Sequence, residues 1–125
     1  MTSLVACGRP PLSVSQQGQS ITLDMQSLGE YPSDVVLLRI IDASQNRVVW
    51  EVKGRDKPQV GRVLLKVGEN SVQLTDVRHG AYEVIVPAGK STFTLASGRR
   101  YVVEAWGSDS NPRTKRVAEF VTPDS

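Results

Sequence analysis

Apolar and polar residues alternate along most of this chain, in short runs separated by glycine, proline and small polar residues. Period-2 alternation is the mark of a strand with one face buried and one face wet. Between Ser20 and Leu28, Ile21, Leu23 and Met25 face inward, while Thr22, Asp24 and Gln26 face solvent. Asp34 to Asp42 holds the most apolar run, Val35-Val36-Leu37-Leu38-Arg39-Ile40-Ile41, and its β-branched residues favour strand over helix. Arg39 belongs on the outer side, which sets Val36, Leu38 and Ile40 toward the core and Val35, Leu37 and Ile41 outward. After a loop at Ala43–Arg47, Val48, Trp50 and Val52 share one face and Val49, Glu51 and Lys53 the other. Val63, Leu65 and Val67 point inward from the next strand; Val72 and Leu74 suggest a short one; Tyr82, Val84 and Val86 continue the pattern until Pro87-Ala88-Gly89 breaks it. The last strand, Lys115 to Thr122, turns Ala118 and Phe120 inward and Glu119 outward. The result is roughly eight or nine short strands with turn signals about every ten residues, and no convincing helix.

One hairpin organises the rest. Phe93 and Leu95 alternate with Thr92 and Thr94, Ser97-Gly98 turns the chain, and Tyr101, Val103 and Ala105 fall on one face of the return strand. Val102, Glu104 and Trp106 fall on the other. An inward tyrosine needs a partner for its hydroxyl, and a carbonyl of the preceding turn is the nearest candidate. The pattern Leu95-x-x-Gly98-x-x-Tyr101-x-Val103-x-Ala105 resembles the tyrosine corner of immunoglobulin-like sandwiches and the Leu…Tyr spacing of fibronectin type III domains. Asp42 to Trp50 is similar to a strand–turn–strand of bacterial envelope domains of the immunoglobulin type. The resemblance implies an all-β, two-sheet antiparallel immunoglobulin-like sandwich; strand spacing leaves a small closed β-barrel as the alternative.

The chain has 125 residues, enough for one core and one domain. We assign residues 1–18 to a leader remnant and tether, within which Leu12 and Val14 suit a short edge strand, and 19–125 to the sandwich. A net charge of +2 is too weak to point to nucleic acid, and base-stacking aromatics do not interleave the polar faces. The single cysteine excludes an internal disulfide. It sits in Leu4-Val5-Ala6-Cys7, which resembles the lipobox of bacterial lipoproteins; that likeness implies lipidation of Cys7 and a membrane-anchored place in the cell envelope. Met1-Thr2-Ser3 carries neither a basic nor an apolar leader, so this reading expects one encoded upstream.

Catalytic chemistry is poorly served. The one histidine, His79, falls in a turn near Asp76, without a Gly-x-Ser-x-Gly elbow. No zinc ligand set, calcium loop or phosphate-cradling glycine loop is present, and neither a metal nor another cofactor is expected. Two surface features remain. Val35, Leu37, Ile41, Val102 and Trp106 make an apolar outer face on strands that are central neighbours in the immunoglobulin-type order, as an interface would. Arg99, Arg100, Arg113, Lys115 and Arg116 make a basic cluster suited to anionic headgroups or an acidic polysaccharide. The expectation is therefore a non-catalytic envelope lipoprotein whose sandwich binds another envelope protein or a second copy of itself. The alternative is a soluble carbohydrate-binding or homo-oligomeric module using Trp106, Tyr31 and Trp50.

Overall fold

Alternation becomes pairing in a computed structural model, which describes residues 12–25, 33–56, 58–107 and 115–124. The strands run in chain order as β1 (Ser13–Gln17), β2 (Ser20–Asp24), β3 (Ser33–Asp34), β4 (Leu37–Asp42), β5 (Arg47–Arg55), β6 (Gln59–Val60) and β7 (Arg62–Lys66). They continue as β8 (Gly68–Ser71), β9 (Val77–Arg78), β10 (Ala81–Val86), β11 (Thr92–Leu95), β12 (Arg100–Trp106) and β13 (Arg116–Val121). Among the described residues there is no helix. Every pairing is antiparallel. A five-stranded sheet has the order β10-β5-β4-β12-β13, and a three-stranded sheet the order β1-β2-β7. Two smaller sheets, β11-β8 and β3-β6-β9, complete the set. Neither large sheet closes on itself, so among the described residues the architecture is an open antiparallel sandwich and not a barrel.

Both large sheets feed one core. Ile21, Leu23 and Leu65 come from the three-stranded sheet; Leu38, Ile40, Trp50, Val52, Tyr101, Val103 and Phe120 come from the five-stranded one. Removing each such side chain from water contributes about 1.5–3 kcal/mol. Trp50 is pinned twice: its Nε1–H donates to the Val72 carbonyl at 3.1 Å, and its ring stacks on Phe93 at 5.1 Å. The stack joins β5 to β11, and a buried indole N–H finds an acceptor.

The Tyr101 corner forms, with one change of chemistry. Leu95 and Tyr101 are buried, and Tyr101 stacks on its cross-strand partner Phe120 at 5.4 Å. Its hydroxyl, however, accepts from the Ala96 backbone N–H at 2.8 Å, so the turn supplies a donor and not the expected carbonyl. The Thr122 hydroxyl takes the carbonyl, donating to Ala96 O at 2.7 Å, and accepts from the Arg99 N–H at 2.9 Å. Gly98 closes the corner with φ of 67°, its N–H donating to Pro123 O at 3.1 Å; a Cβ there would lie 2.5 Å from Asp124 Oδ1.

Other expectations shift, among them the short strand at Val72 and Leu74, since β8 ends at Ser71. The chain bends at Val36, ahead of β4, so the alternation slips by one residue. Val35 is fully buried and belongs to the core, while Val36 is only half-buried. Since the period is 2, one slip exchanges the two faces. The Val35 N–H donates to Pro58 O at 3.2 Å and its carbonyl accepts from the Tyr82 hydroxyl, which fixes the bend. In β5 a bulge inserts Val49: Ile40 pairs with Trp50, but Ile41 pairs with Val48. Val49 then packs on the core and Val48 leaves the face of Trp50, as an extra residue in one strand requires. Finally, β1 lies within the stretch assigned to the tether. Leu12 is buried, β1 pairs with β2 from Ser13 to Gln17, and Gln16 Nε2–H donates to Val121 O at 2.8 Å on β13. Residues 12–17 therefore belong to the folded unit.

Candidate functional site: the outer face of the five-stranded sheet

Strands β5, β4 and β12 lie side by side, and their register sets the outward residues in rows. Lys53, Leu37 and Trp106 form one row; Glu51, Arg39 and Glu104 form the next; Val48, Ile41 and Val102 form the third. A charged row thus separates two apolar ones. Arg39 stands at its centre. Its Nε lies 3.4 Å from Glu51 Oε1 and its Nη1 lies 3.3 Å from Glu104 Oε1. Glu104 Oε2 lies 3.5 Å from Lys115 Nζ. Arg39 Nη1 makes a hydrogen bond to Glu104, whereas Nε has only the ion pair, since its N–H is not aimed at Glu51.

Trp106 lies under this network. The Arg39 guanidinium sits 4.9 Å from the ring centroid and the Lys115 ammonium 5.5 Å. Cation–π contacts of this kind contribute about 0.5–1 kcal/mol where partly exposed. The head groups of Arg39 and Lys115 thus lie against the Trp106 ring. Leu37, Ile41, Val102 and Trp106 are half-buried and not open to solvent. Of the five residues read as the apolar face, these four do share it, and Val35 does not. The carboxylates of Glu51 and Glu104, with 17% and 16% of their side-chain surface accessible, hold the arginine flat on the sheet. The result is an ordered surface with an arginine and both signs of charge at its middle and a tryptophan in the adjoining row. Both signs of charge and one aromatic ring thus stand on a single ordered face.

Among the described residues, most members of the basic cluster are drawn into separate contacts. Arg99 Nη1 donates to Asp42 Oδ2 at 2.7 Å. Arg100 pairs with Glu119, and Lys115 is committed to Glu104 and Trp106. Arg116 is buried: it faces the same side as its ladder partner Ala105, toward the interior end of the sheet. This corrects its placement on an exposed patch, and the cause is strand phase, since Arg116, Ala118 and Phe120 are alternate residues. Arg113 lies outside the described residues, as do Cys7 and Tyr31.

Two carboxylates show what pairing does to titration. Burial pushes the Asp42 carboxyl up, but hydrogen bonds from the Ser44 hydroxyl, Arg99 and the Gln45 N–H outweigh it and hold the group below its ordinary value of 3.8. Glu119 is lowered by its hydrogen bond from Arg100. Elsewhere, Asp76 accepts the Arg62 N–H at 3.0 Å, and His79 is exposed in a turn with φ of 58°. Trp50 is buried, which removes it from the solvent-facing aromatics. Among the described residues, no three of His, Cys, Asp and Glu gather as metal ligands would.

Sequence reasoning found the outward position of Arg39, Glu51 and Glu104 but not their alignment. The signal lay in three predicted strands each carrying one mid-strand charge on its outer face. Only the register makes them one row. No protein-family model matches the chain, and no curated protein matches it in sequence.

Proposed function

We propose that this chain is a non-catalytic binding module of the cell envelope, immunoglobulin-like in type, which docks a protein partner on the outer face of its five-stranded sheet. The observation that carries this reading is Trp106 set under Arg39 and Lys115, beside the charged row of an ordered face. Trp and Arg are the residues over-represented among interface hot spots, and packed surroundings that exclude water favour them. The alternation of charge along Glu51, Arg39, Glu104 and Lys115 favours a partner that presents both signs in turn. Anchoring through an acylated Cys7 completes the proposal and rests on the lipobox resemblance alone; stable anchoring takes two lipid signals.

The test is site-specific photo-cross-linking in intact envelopes. A photoreactive residue at Val102 or Leu37 is expected to trap one discrete protein partner, and the same residue at Leu64, exposed on the three-stranded sheet, is expected to trap none. Trp106→Ala should abolish the adduct. Equal yields from both sheets would sink the docking face. Loss of membrane association in Cys7→Ala, with the adduct retained on soluble protein, would separate the anchor from the face.

A further inference from the structure

On another part of the molecule, the start of β5, the end of β10 and β11 border an open groove of about 410 Å³. Its volume falls in the lower part of the range for small-molecule sites, roughly 300–1,000 Å³. Its base is Phe93, buried and held by its stack on Trp50. Val48, Val49, Val86 and Pro87 supply apolar wall. The turn carrying Lys90 is closed by its N–H donating to Pro87 O at 3.4 Å.

Two exposed cations, Arg47 and Lys90, line the same groove, and no carboxylate does. Neither cation has an ion pair among the described residues. For Arg47 the reason is visible. Its ladder partner is Asp42, whose carboxylate is already taken by Arg99, Ser44 and Gln45. Arg39, Arg55, Arg62, Arg99, Arg100 and Lys115 each lie beside a carboxylate; Lys53, Lys66 and Arg78 also have no ion pair among the described residues, but they do not line this groove. One anion stands near the rim: Glu69, on β8, accepts the Thr92 hydroxyl at 3.3 Å.

We infer that this cleft binds a small amphiphilic anion, a carboxylate carrying an apolar chain. The head lies between Arg47, whose guanidinium suits a carboxylate bidentately, and Lys90 as a point charge. The chain lies on Phe93, Val86 and Pro87. Glu69 opposes the head through like-charge repulsion. This inference does not depend on the docking face or on the anchor.

The test is an amide-shift NMR titration of the full chain with decanoate and with decanol, the uncharged analogue. Decanoate is expected to shift the amides of Val48, Val86 and Phe93 saturably, and to bind more tightly than decanol. Arg47→Gln and Lys90→Gln should each weaken decanoate by about two- to five-fold, the range of a single exposed charge pair, and leave decanol unchanged. Glu69→Gln should strengthen decanoate. Equal binding of the two probes, no saturable shift, shifts confined to other surfaces, or indifference to both cation variants would overturn the inference.

Discussion

At the scale of single residues, two side chains hold the corner that the fold turns on. Tyr101 satisfies the Ala96 N–H from inside the core. Tyr101→Phe keeps the ring and its stack on Phe120 but leaves that donor without its acceptor, which costs about 1–3 kcal/mol. A fall in the urea midpoint with an unchanged slope would verify it. Asp42 gathers the hairpin loop and Arg99 on one carboxylate. Its folded pKa is depressed, so the unfolded chain binds more protons as pH falls. The stabilisation it provides is complete above its ordinary value of 3.8 and is lost as pH drops below that, through the folded value. Asp42→Asn should therefore be less stable than the parent at pH 7, and the gap should shrink at the acid end. A denaturation series across pH 2–7 that ran parallel for the two proteins would contradict this.

At the scale of elements, the strands follow from alternation but their phase does not always. The inward faces of β2, β7 and β12 were legible because each runs unbroken: Ile21 and Leu23, Val63 and Leu65, Tyr101, Val103 and Ala105 are all buried. Val35 was misplaced because a bend at Val36 lies inside an apolar run, where no polar residue marks the slip. Val48 was misplaced because a bulge adds a residue without a glycine to announce it. Arg116 faces inward because a long charged side chain occupies the end of a strand whose middle set its phase correctly. The rows of the candidate site were half legible: the outward charges could be named, but register depends on contacts far apart in sequence. A turn element offers a direct check. Gly80 has φ of 63°, and a Cβ there would collide with the Arg55 carbonyl and lie 3.0 Å from that of Asp56. Backbone must move to admit it, so Gly80→Ala is expected to cost about 2 kcal/mol or more. Thermal unfolding measures it, and a neutral result would mean that the contact between this turn and the end of β5 is not maintained.

At the scale of the whole molecule, two sheets share one interior, and each sends a different surface outward. The three-stranded sheet shows Leu64 and polar residues; the five-stranded sheet shows a charge row flanked by apolar rows. The strand β1 links them, paired with β2 and bonded to β13 through Gln16. A chain starting at Gln19, which the sequence boundary would permit, loses the β1–β2 ladder and the buried Leu12. It should unfold at a lower denaturant concentration than the full chain, and an unchanged midpoint would show that β1 adds nothing. The central claim, that the Trp106 face is a docking surface, is tested most directly by the affinity of Trp106→Ala for the protein trapped by cross-linking at Val102. The account predicts a loss of about 2 kcal/mol or more, roughly thirty-fold, with the chain still cooperatively folded. Unchanged affinity in a folded Trp106→Ala protein would contradict it.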